Sequence, residues 1–189
     1  MSAQPEPAAL TLDDGQRVSA LWLLPPHLRS VLVLAHGAGA GMSHPFMVAL
    51  AEGLAHRGIG TLRYQFPYME RGTRRPDTPR VAKAAVRAAV AEAGRRLPGL
   101  PLFAGGKSFG GRMSSQAQAA EPLPGVRGLV FVGFPLHAAG DPSRERADHL
   151  ARVTVPMLFL QGTRDELAEL GLIRAVVGSL DVRATLKVL

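Results

Sequence analysis

A serine lies between two glycines at the point where an apolar segment gives way to a helix-like one. Gly106, Ser108 and Gly110 form the pattern G-x-S-x-G, with the apolar segment Pro101–Ala104 before it and the helix-like segment 113–120 after it. In this context the pattern is typical of a nucleophile elbow, a strand-to-helix turn that exposes the serine hydroxyl above a sheet. Glycine is needed on both sides because a side chain would collide with neighbouring backbone. The sequence predicts that Ser108 is a nucleophile for acyl transfer, and the alternative is a glycine-rich turn with an incidental serine.

A second glycine-rich segment, residues 36–39 with the sequence HGAG, follows the apolar run Val31–Ala35. Backbone N–H groups in a turn of small residues can approach a substrate oxygen closely. We therefore expect the amides of Ala38 and Phe109 to form an oxyanion hole beside the serine. The alternative is a strand-to-helix turn that needs its glycines only for its shape.

A carboxylate, Asp165, follows the apolar segment Pro156–Leu160 at the end of the sequence QGTRD. This position after the serine in the chain suits a carboxylate that orients a histidine in a catalytic triad. Asp165 could instead cap the helix that follows. Glu166 is a weaker candidate for the triad acid.

Apolar segments of strand length alternate with helical ones along the whole chain. The predicted strands are Arg17–Leu23, Val31–Ala35, Ile59–Tyr64, Pro101–Ala104, Leu129–Val132, Pro156–Leu160 and Ala184–Leu189. Strands joined by helical crossovers pair in parallel. The expected fold class is therefore α/β, a three-layer sandwich around a mostly parallel sheet in a single domain, residues 1–189.

Less regular segments lie between these elements. Residues up to Leu12 are expected to be a mobile lead-in, and Gln65–Thr78 a long loop. Helices are predicted to begin after a cap at Ser43, at Pro79 and at Glu166.

The composition narrows the class of protein and its partners. The chain has 189 residues, a formal charge of +7 and no cysteine, which excludes disulfides, cysteine-ligated metals and a cysteine nucleophile. The excess charge is mostly arginine in a chain rich in Ala, Gly and Pro, without interleaved aromatic residues, so we expect no nucleic-acid partner. There is neither an apolar run of membrane-spanning length nor a signal-peptide pattern, so no membrane partner and a cytoplasmic location are expected.

Three motifs in this order, HGAGAG from His36, GGKSFGGR from Gly105 and FLQGTRD from Phe159, resemble the α/β-hydrolase fold. They resemble in particular a small subfamily of predicted hydrolases related to dienelactone hydrolases and to testis-expressed and KANL-type proteins. The similarity covers nearly the whole chain, including the sequence RYQFPYME at residues 63–70.

This resemblance implies Ser108 as nucleophile, Asp165 as triad acid and Ala38 with Phe109 as oxyanion donors. It implies a small-molecule ester or thioester as substrate and no metal or cofactor. Another class of function stays open, a weak or inactive hydrolase-fold protein that acts as a binding module.

Larger relatives insert a cap domain where this chain has only the short segment between Val132 and Thr154. We therefore expect a hydrolase fold without a cap domain and an open, shallow pocket for compact esters. Arg71, Arg74 and Arg75 follow a strand and could line the rim for anionic substrates, or lie in an ordinary solvated loop.

The triad histidine is where the sequence departs from the family, in which the order along the chain is serine, acid, histidine. All six histidines precede Asp165: His27, His36, His44, His56, His137 and His149. His36 belongs to the expected oxyanion turn, and His44 and His137 follow strands, so these three are the candidate pocket histidines. The expectation is that the triad histidine follows Leu189, and that the domain as given lacks its C-terminal loop and helix.

Overall fold

The apolar segments of the chain form the strands of one sheet in a computed structural model, which describes residues 4–189. The strands are β1 (Glu6–Thr11), β2 (Arg17–Leu23), β3 (Ser30–Ala35), β4 (Ile59–Tyr64), β5 (Leu102–Lys107), β6 (Val126–Val132), β7 (Met157–Gln161) and β8 (Ala184–Val188). Their order in the sheet is β1-β2-β4-β3-β5-β6-β7-β8. Strands β3 to β8 run parallel, whereas β1 and β2 are antiparallel to their neighbours. The prediction of a mostly parallel sheet is confirmed.

Helices cover both faces of the sheet. They are α1 (Pro45–Ala55), α2 (Pro67–Glu70), α3 (Pro79–Arg96), α4 (Phe109–Ala120) and α5 (Leu170–Ser179), with 3₁₀ helices at Glu145–Arg152 and Asp181–Arg183. Alternate residues of β3 face opposite sides, as the period of a strand requires. Leu32 and Leu34 pack with Met47 of α1, while Val31 and Val33 belong to the larger core that α3 and α4 cover. The predicted α/β three-layer class is confirmed.

Residues Glu6–Thr11 form β1, so the expectation of a mobile lead-in up to Leu12 is wrong for residues 4–12; the first three residues of that lead-in lie outside the described part of the chain. Leu10 and Leu12 are buried in the core, and β1 pairs with β2 over its whole length. The Arg96 guanidinium of α3 also binds the Glu6 carboxylate at 2.6 Å. These contacts are made with residues distant in the sequence, and residues 4–12 contain only two large apolar side chains, Leu10 and Leu12, from which a strand could be predicted.

Three further boundaries differ from the sequence prediction. The expected loop 65–78 contains the short helix α2, and the N-cap of α1 is His44 rather than Ser43. Helix α5 begins at Leu170 instead of Glu166. Before this helix the chain forms a separate turn, in which the Asp165 side chain accepts a hydrogen bond from the Leu167 amide.

The sheet carries no cap domain. Residues 133–156, between β6 and β7, contain a loop and the 3₁₀ helix Glu145–Arg152, and nothing larger. Over the described part of the chain, no helix combines the length and the apolar character that crossing a membrane requires.

Candidate active site

Ser108 lies at the turn between β5 and α4 in strained backbone geometry. Its φ is 47° and its ψ is −114°, and positive φ values are uncommon for residues other than glycine. Its amide donates to the Val132 carbonyl at 3.0 Å, which anchors the turn to β6. A partly exposed serine in such a strained turn is the geometry of a nucleophile elbow.

The glycines of the elbow lie where three backbone segments approach one another. A Cβ atom on Gly106, whose φ is 156°, would collide with the Ala35 carbonyl oxygen at the end of β3. A Cβ atom on Gly110 would lie 2.5 Å from the His36 carbonyl oxygen. Glycine at both positions therefore lets α4 and β5 pack directly against the end of β3, as the sequence pattern predicts.

The predicted oxyanion turn lies beside the serine. A Cβ atom built on Gly37 would be 3.9 Å from the Ser108 Cβ atom, so residues 36–39 and the elbow are neighbours. The Phe109 amide belongs to the first turn of α4, where N–H groups have no partner inside the helix. Within residues 4–189 neither this amide nor that of Ala38 donates a hydrogen bond. Both N–H groups therefore remain available to a substrate oxygen.

Tyr68 and His36 fix the orientation of the oxyanion turn. The Tyr68 hydroxyl lies 2.8 Å from the Ala38 carbonyl oxygen and 3.3 Å from that of Gly37. His36 Nδ1 donates to the Gly37 carbonyl at 2.7 Å, and its Nε2 accepts from the Phe66 amide at 3.0 Å. Burial lowers the pKa of His36. The ring is therefore neutral, fully buried and bound on both nitrogens.

The carboxylate of Asp165 is held by two donors. Its Oδ2 accepts from the Gln161 side-chain amide at 2.7 Å, and its Oδ1 accepts from the Leu167 amide at 3.0 Å. Asp165 therefore does cap a turn, although α5 begins later. Gln161 is fully buried and also accepts from the Phe134 amide at 3.0 Å. Glu166, the alternative acid, is exposed.

Within residues 4–189 no histidine hydrogen bonds to Ser108 or Asp165. His44 is exposed and accepts from the amide two residues later, as the cap of α1. His137 is buried, donates through Nδ1 to the carbonyl of the next residue at 2.7 Å, and accepts through Nε2 from the Glu169 amide at 3.4 Å. The geometry brings together the predicted serine and oxyanion amides, without a histidine base.

A different serine and histidine form a hydrogen bond, Ser115 Oγ to His149 Nε2 at 2.7 Å, between α4 and the 3₁₀ helix Glu145–Arg152. This contact is consistent with the serine–histidine part of a triad. Ser115 also donates to the Arg112 carbonyl at 2.9 Å, so His149 is the donor of the shared bond. Both side chains are buried, Ser115 completely, which leaves no path for an ester.

The environment of His149 keeps its ring neutral. Burial, and after it the positive charges of Arg112 and Arg152, lower its pKa to about 4. The Ser115–His149 pair therefore joins two helices, whereas Ser108 is partly exposed.

The arginines of the expected rim are not equivalent. Arg71 forms an ion pair of 2.7 Å with Asp77, whose other carboxylate oxygen accepts from the Tyr68 amide. Arg74 and Arg75 are exposed. In the part of the chain that the structure describes, no three His, Cys, Asp or Glu side chains are grouped so that they could hold a metal ion.

Comparison with known proteins agrees with this architecture. Residues 28–189 match the family model described as an alpha/beta hydrolase domain. The chain belongs to the α/β-hydrolase family. The match includes the elbow, the oxyanion turn and the Asp165 loop, and so covers every motif on which the resemblance was based.

Solved structures of other hydrolases share the fold. This α/β-hydrolase is similar to the dienelactone hydrolase from Anabaena variabilis, with a TM-score of 0.83 and 19% identity over 100% of this chain and 87% of that one. An alpha-beta serine hydrolase homologue from Coxiella burnetii has a TM-score of 0.79 and 18% identity over 100% and 88% of the two chains. A protein from Xanthomonas campestris, described as an a/b serine hydrolase without lid, has a TM-score of 0.77 and 21% identity over 100% and 85%. At these identities the similarity shows the fold alone.

Proposed function

We propose that this α/β-hydrolase is a serine hydrolase that cleaves a small ester or thioester through an acyl-enzyme. The observation that carries the proposal is the backbone of Ser108, held at a positive φ beside the amides of Ala38 and Phe109, which have no hydrogen-bond acceptor among residues 4–189. Strained geometry persists where the surrounding structure enforces it, and it is concentrated at functional sites. Without a cap over the sheet, the site favours compact acyl groups over long ones.

The proposed reaction uses these groups together with a histidine base. Ser108 Oγ attacks the carbonyl carbon of the ester and passes its proton to a histidine. The carbonyl oxygen becomes an oxyanion, which the Ala38 and Phe109 amides stabilise. The bond to the leaving oxygen or sulfur breaks as the histidine returns the proton to it. Water then attacks the acyl-serine by the same route and releases the acid and the free serine.

The acid in this proposal is Asp165, which follows the end of β7. Strand β8 is paired with β7, and the Leu189 amide donates to the Gln161 carbonyl at 2.9 Å. The Gln161 side chain holds Asp165. Asp165 is therefore held beside two paired strand ends, in a fixed position from which a carboxylate can orient a histidine base.

A fluorophosphonate probe tests the nucleophile, because it forms a stable adduct with an activated serine. We expect the native full-length protein to gain one adduct, and peptide mapping to place it on Ser108. Ser108→Ala should abolish labelling. Ser115→Ala is the matched control, because it removes the other serine with a histidine partner, and it should label like the unsubstituted protein. An adduct on Ser115, or equal labelling of Ser108→Ala, would overturn the proposal.

A second candidate function is a binding module that keeps the hydrolase fold without turnover. The observation that favours it is the absence of a histidine partner for Asp165 within residues 4–189. Under this alternative the native protein shows no adduct and no hydrolysis of short-chain nitrophenyl esters. Labelling together with ester turnover rules it out.

A further inference from the structure

Two arginines lie on the helix faces that meet at the Ser115–His149 hydrogen bond. Arg112 of α4 precedes Ser115 by three residues, and Arg146 of the 3₁₀ helix Glu145–Arg152 precedes His149 by three. Residues three apart share one face of a helix of either type. The two guanidinium groups therefore lie near one another, between the helices.

The Arg112 guanidinium has no counter-ion in the part of the chain that the structure describes. Within the described residues it takes part in no ion pair and donates no hydrogen bond, and its Nε atom is buried without a partner. Arg146 donates one hydrogen bond of 2.8 Å, to the His137 carbonyl, and likewise forms no ion pair. Burial, and after it the charge of Arg146, lower the pKa of Arg112. Two like charges held partly out of water raise the free energy of the folded protein unless an anion joins them.

The acids of the same 3₁₀ helix do not supply that anion. Glu145 and Asp148 are exposed and line a groove of about 500 Å³ on the side that faces Val176 and Leu180 of the α5 region. His149 lies on the other side, bound to Ser115 of α4. Neither carboxylate forms an ion pair with Arg112 or Arg146.

We infer that Arg112 and Arg146 bind an oxyanion group, a carboxylate or a phosphate, that the substrate of Ser108 carries. Guanidinium groups offer paired N–H donors in a fork that fits such groups. Arg112 lies four residues after Ser108, and its amide donates to the Ser108 carbonyl at 3.1 Å. Four residues of helix span about 6 Å, so Arg112 lies about one helical turn from Ser108, and helical side chains tilt toward the helix N-terminus, where the serine is.

This inference rests on the proposed function and specifies its substrate class, an ester or thioester with a negative charge a few bonds from the carbonyl. It assigns the selectivity for anionic substrates to Arg112, one helical turn after Ser108, together with Arg146. The exposed Arg74 and Arg75, which the sequence offered for the same purpose, are not required for it.

Calorimetric titration of the Ser108→Ala protein tests the site without any turnover. We expect succinate or inorganic phosphate to bind, and the tighter of the two identifies the oxyanion. Adding Arg112→Gln should weaken binding by about tenfold or more, as the loss of a charge-assisted pair does. Arg144→Gln is the matched control, because it removes the same charge from an exposed position of the neighbouring segment. Absence of binding by both anions, or equal weakening by the control, would overturn the inference.

Ester kinetics on the full-length protein give the second readout. The ratio of kcat/KM for nitrophenyl hydrogen succinate to that for nitrophenyl butyrate should fall roughly ten- to a hundredfold in Arg112→Gln. Arg146→Gln should lower the same ratio, which keeps the test decisive if Arg112→Gln does not fold. An unchanged ratio in both variants would overturn the inference. If the native protein hydrolyses neither ester, the proposed function fails while the calorimetric result still decides the anion site.

Discussion

The Gln161 side chain donates a hydrogen bond of 2.7 Å to Asp165 Oδ2 while it accepts one of 3.0 Å from the Phe134 amide. One buried amide thus links the loop after β6 to the loop after β7. Because Gln161 is the last residue of β7, its hydrogen bond fixes the orientation of the Asp165 carboxylate relative to the sheet. The acid is held in place whether or not a histidine is bound to it.

Replacing Gln161 with leucine should weaken both activity and stability. The change leaves the buried Phe134 amide without an acceptor, which costs about 1–3 kcal/mol of the free energy of unfolding. A loosened Asp165 should lower kcat by roughly ten- to a hundredfold. Gln118→Leu is the control, since Gln118 is buried and accepts from the Leu123 amide at 2.9 Å. It should show a similar loss in urea unfolding with kcat unchanged, and an equal loss of kcat would contradict a positioning role for Gln161.

Removing the Tyr68 hydroxyl should disturb the oxyanion turn. Tyr68→Phe loses the hydrogen bonds to the Ala38 and Gly37 carbonyls. One such hydrogen bond contributes about 0.5–1.5 kcal/mol to the free energy of unfolding. We expect kcat to fall roughly ten- to a hundredfold with little change in KM, because misplaced amides weaken transition-state binding. Tyr64→Phe is the matched control, because the Tyr64 hydroxyl is buried without a partner among the described residues. That variant should be at least as stable as the native protein and should keep its kcat. An equal loss of kcat in Tyr64→Phe and Tyr68→Phe would contradict the prediction.

Alanine at the elbow and alanine on a helix surface should have opposite effects. Gly110→Ala places a Cβ atom 2.5 Å from the His36 carbonyl oxygen, so we expect the free energy of unfolding to drop by more than about 3 kcal/mol. Gly94 lies in α3 with nothing within 4 Å of an added Cβ atom. Gly94→Ala should raise the free energy of unfolding by about 0.5–1 kcal/mol. Urea denaturation measures both, and a tolerated Gly110→Ala would show that β3 and α4 can separate there without cost.

His149 should make the protein less stable in acid. Its pKa is about 4 when folded and about 6.5 when unfolded. Above pH 6.5 both states are neutral. As the pH falls from about 6.5 to 4 the unfolded state takes up a proton that the folded state does not, so the free energy of unfolding falls by at most about 1.4 kcal/mol per pH unit.

The variant His149→Gln should show a shallower loss of stability over this range, since its amide can still donate to Ser115. His36, whose pKa is also lowered, contributes equally to both proteins. The exposed His44 is the control, and His44→Gln should keep the native slope. Urea midpoints at pH 7 and pH 5 measure the difference, and parallel curves for His149→Gln and the native protein would contradict the prediction.

The sheet and the elbow were predictable because their signals are local. Strand β4 was predicted with its observed ends, Ile59 and Tyr64, because Gly58 ends the helix before it and a loop rich in Arg and Pro follows it. The elbow was predictable because Gly106 and Gly110 meet a steric requirement that only glycine satisfies.

The supports of the site were not predictable in the same way. Tyr68 reaches the oxyanion turn across 30 positions of the chain, and no local pattern distinguishes it from other aromatic residues. In the sequence Gln161 is an ordinary polar residue at the end of a strand, and only the fold shows that it contacts Phe134 and Asp165 in two separate loops. Strand β1 was missed for a related reason, since most of its stabilising partners lie on β2 and α3.

The elbow glycines also make Ser108 a reporter of the folding of the whole sheet. Ser108 keeps its strained backbone only while β5, α4 and the end of β3 stay in contact. At Gly106 and Gly110 these segments pack so closely that there is no space for a Cβ atom. Partial opening between β3 and β5 would let the serine relax to an ordinary conformation. Covalent labelling at Ser108 should therefore be lost at the same temperature as the sheet, so that a single activity-based probe can rank the folding of variant libraries in crude extracts.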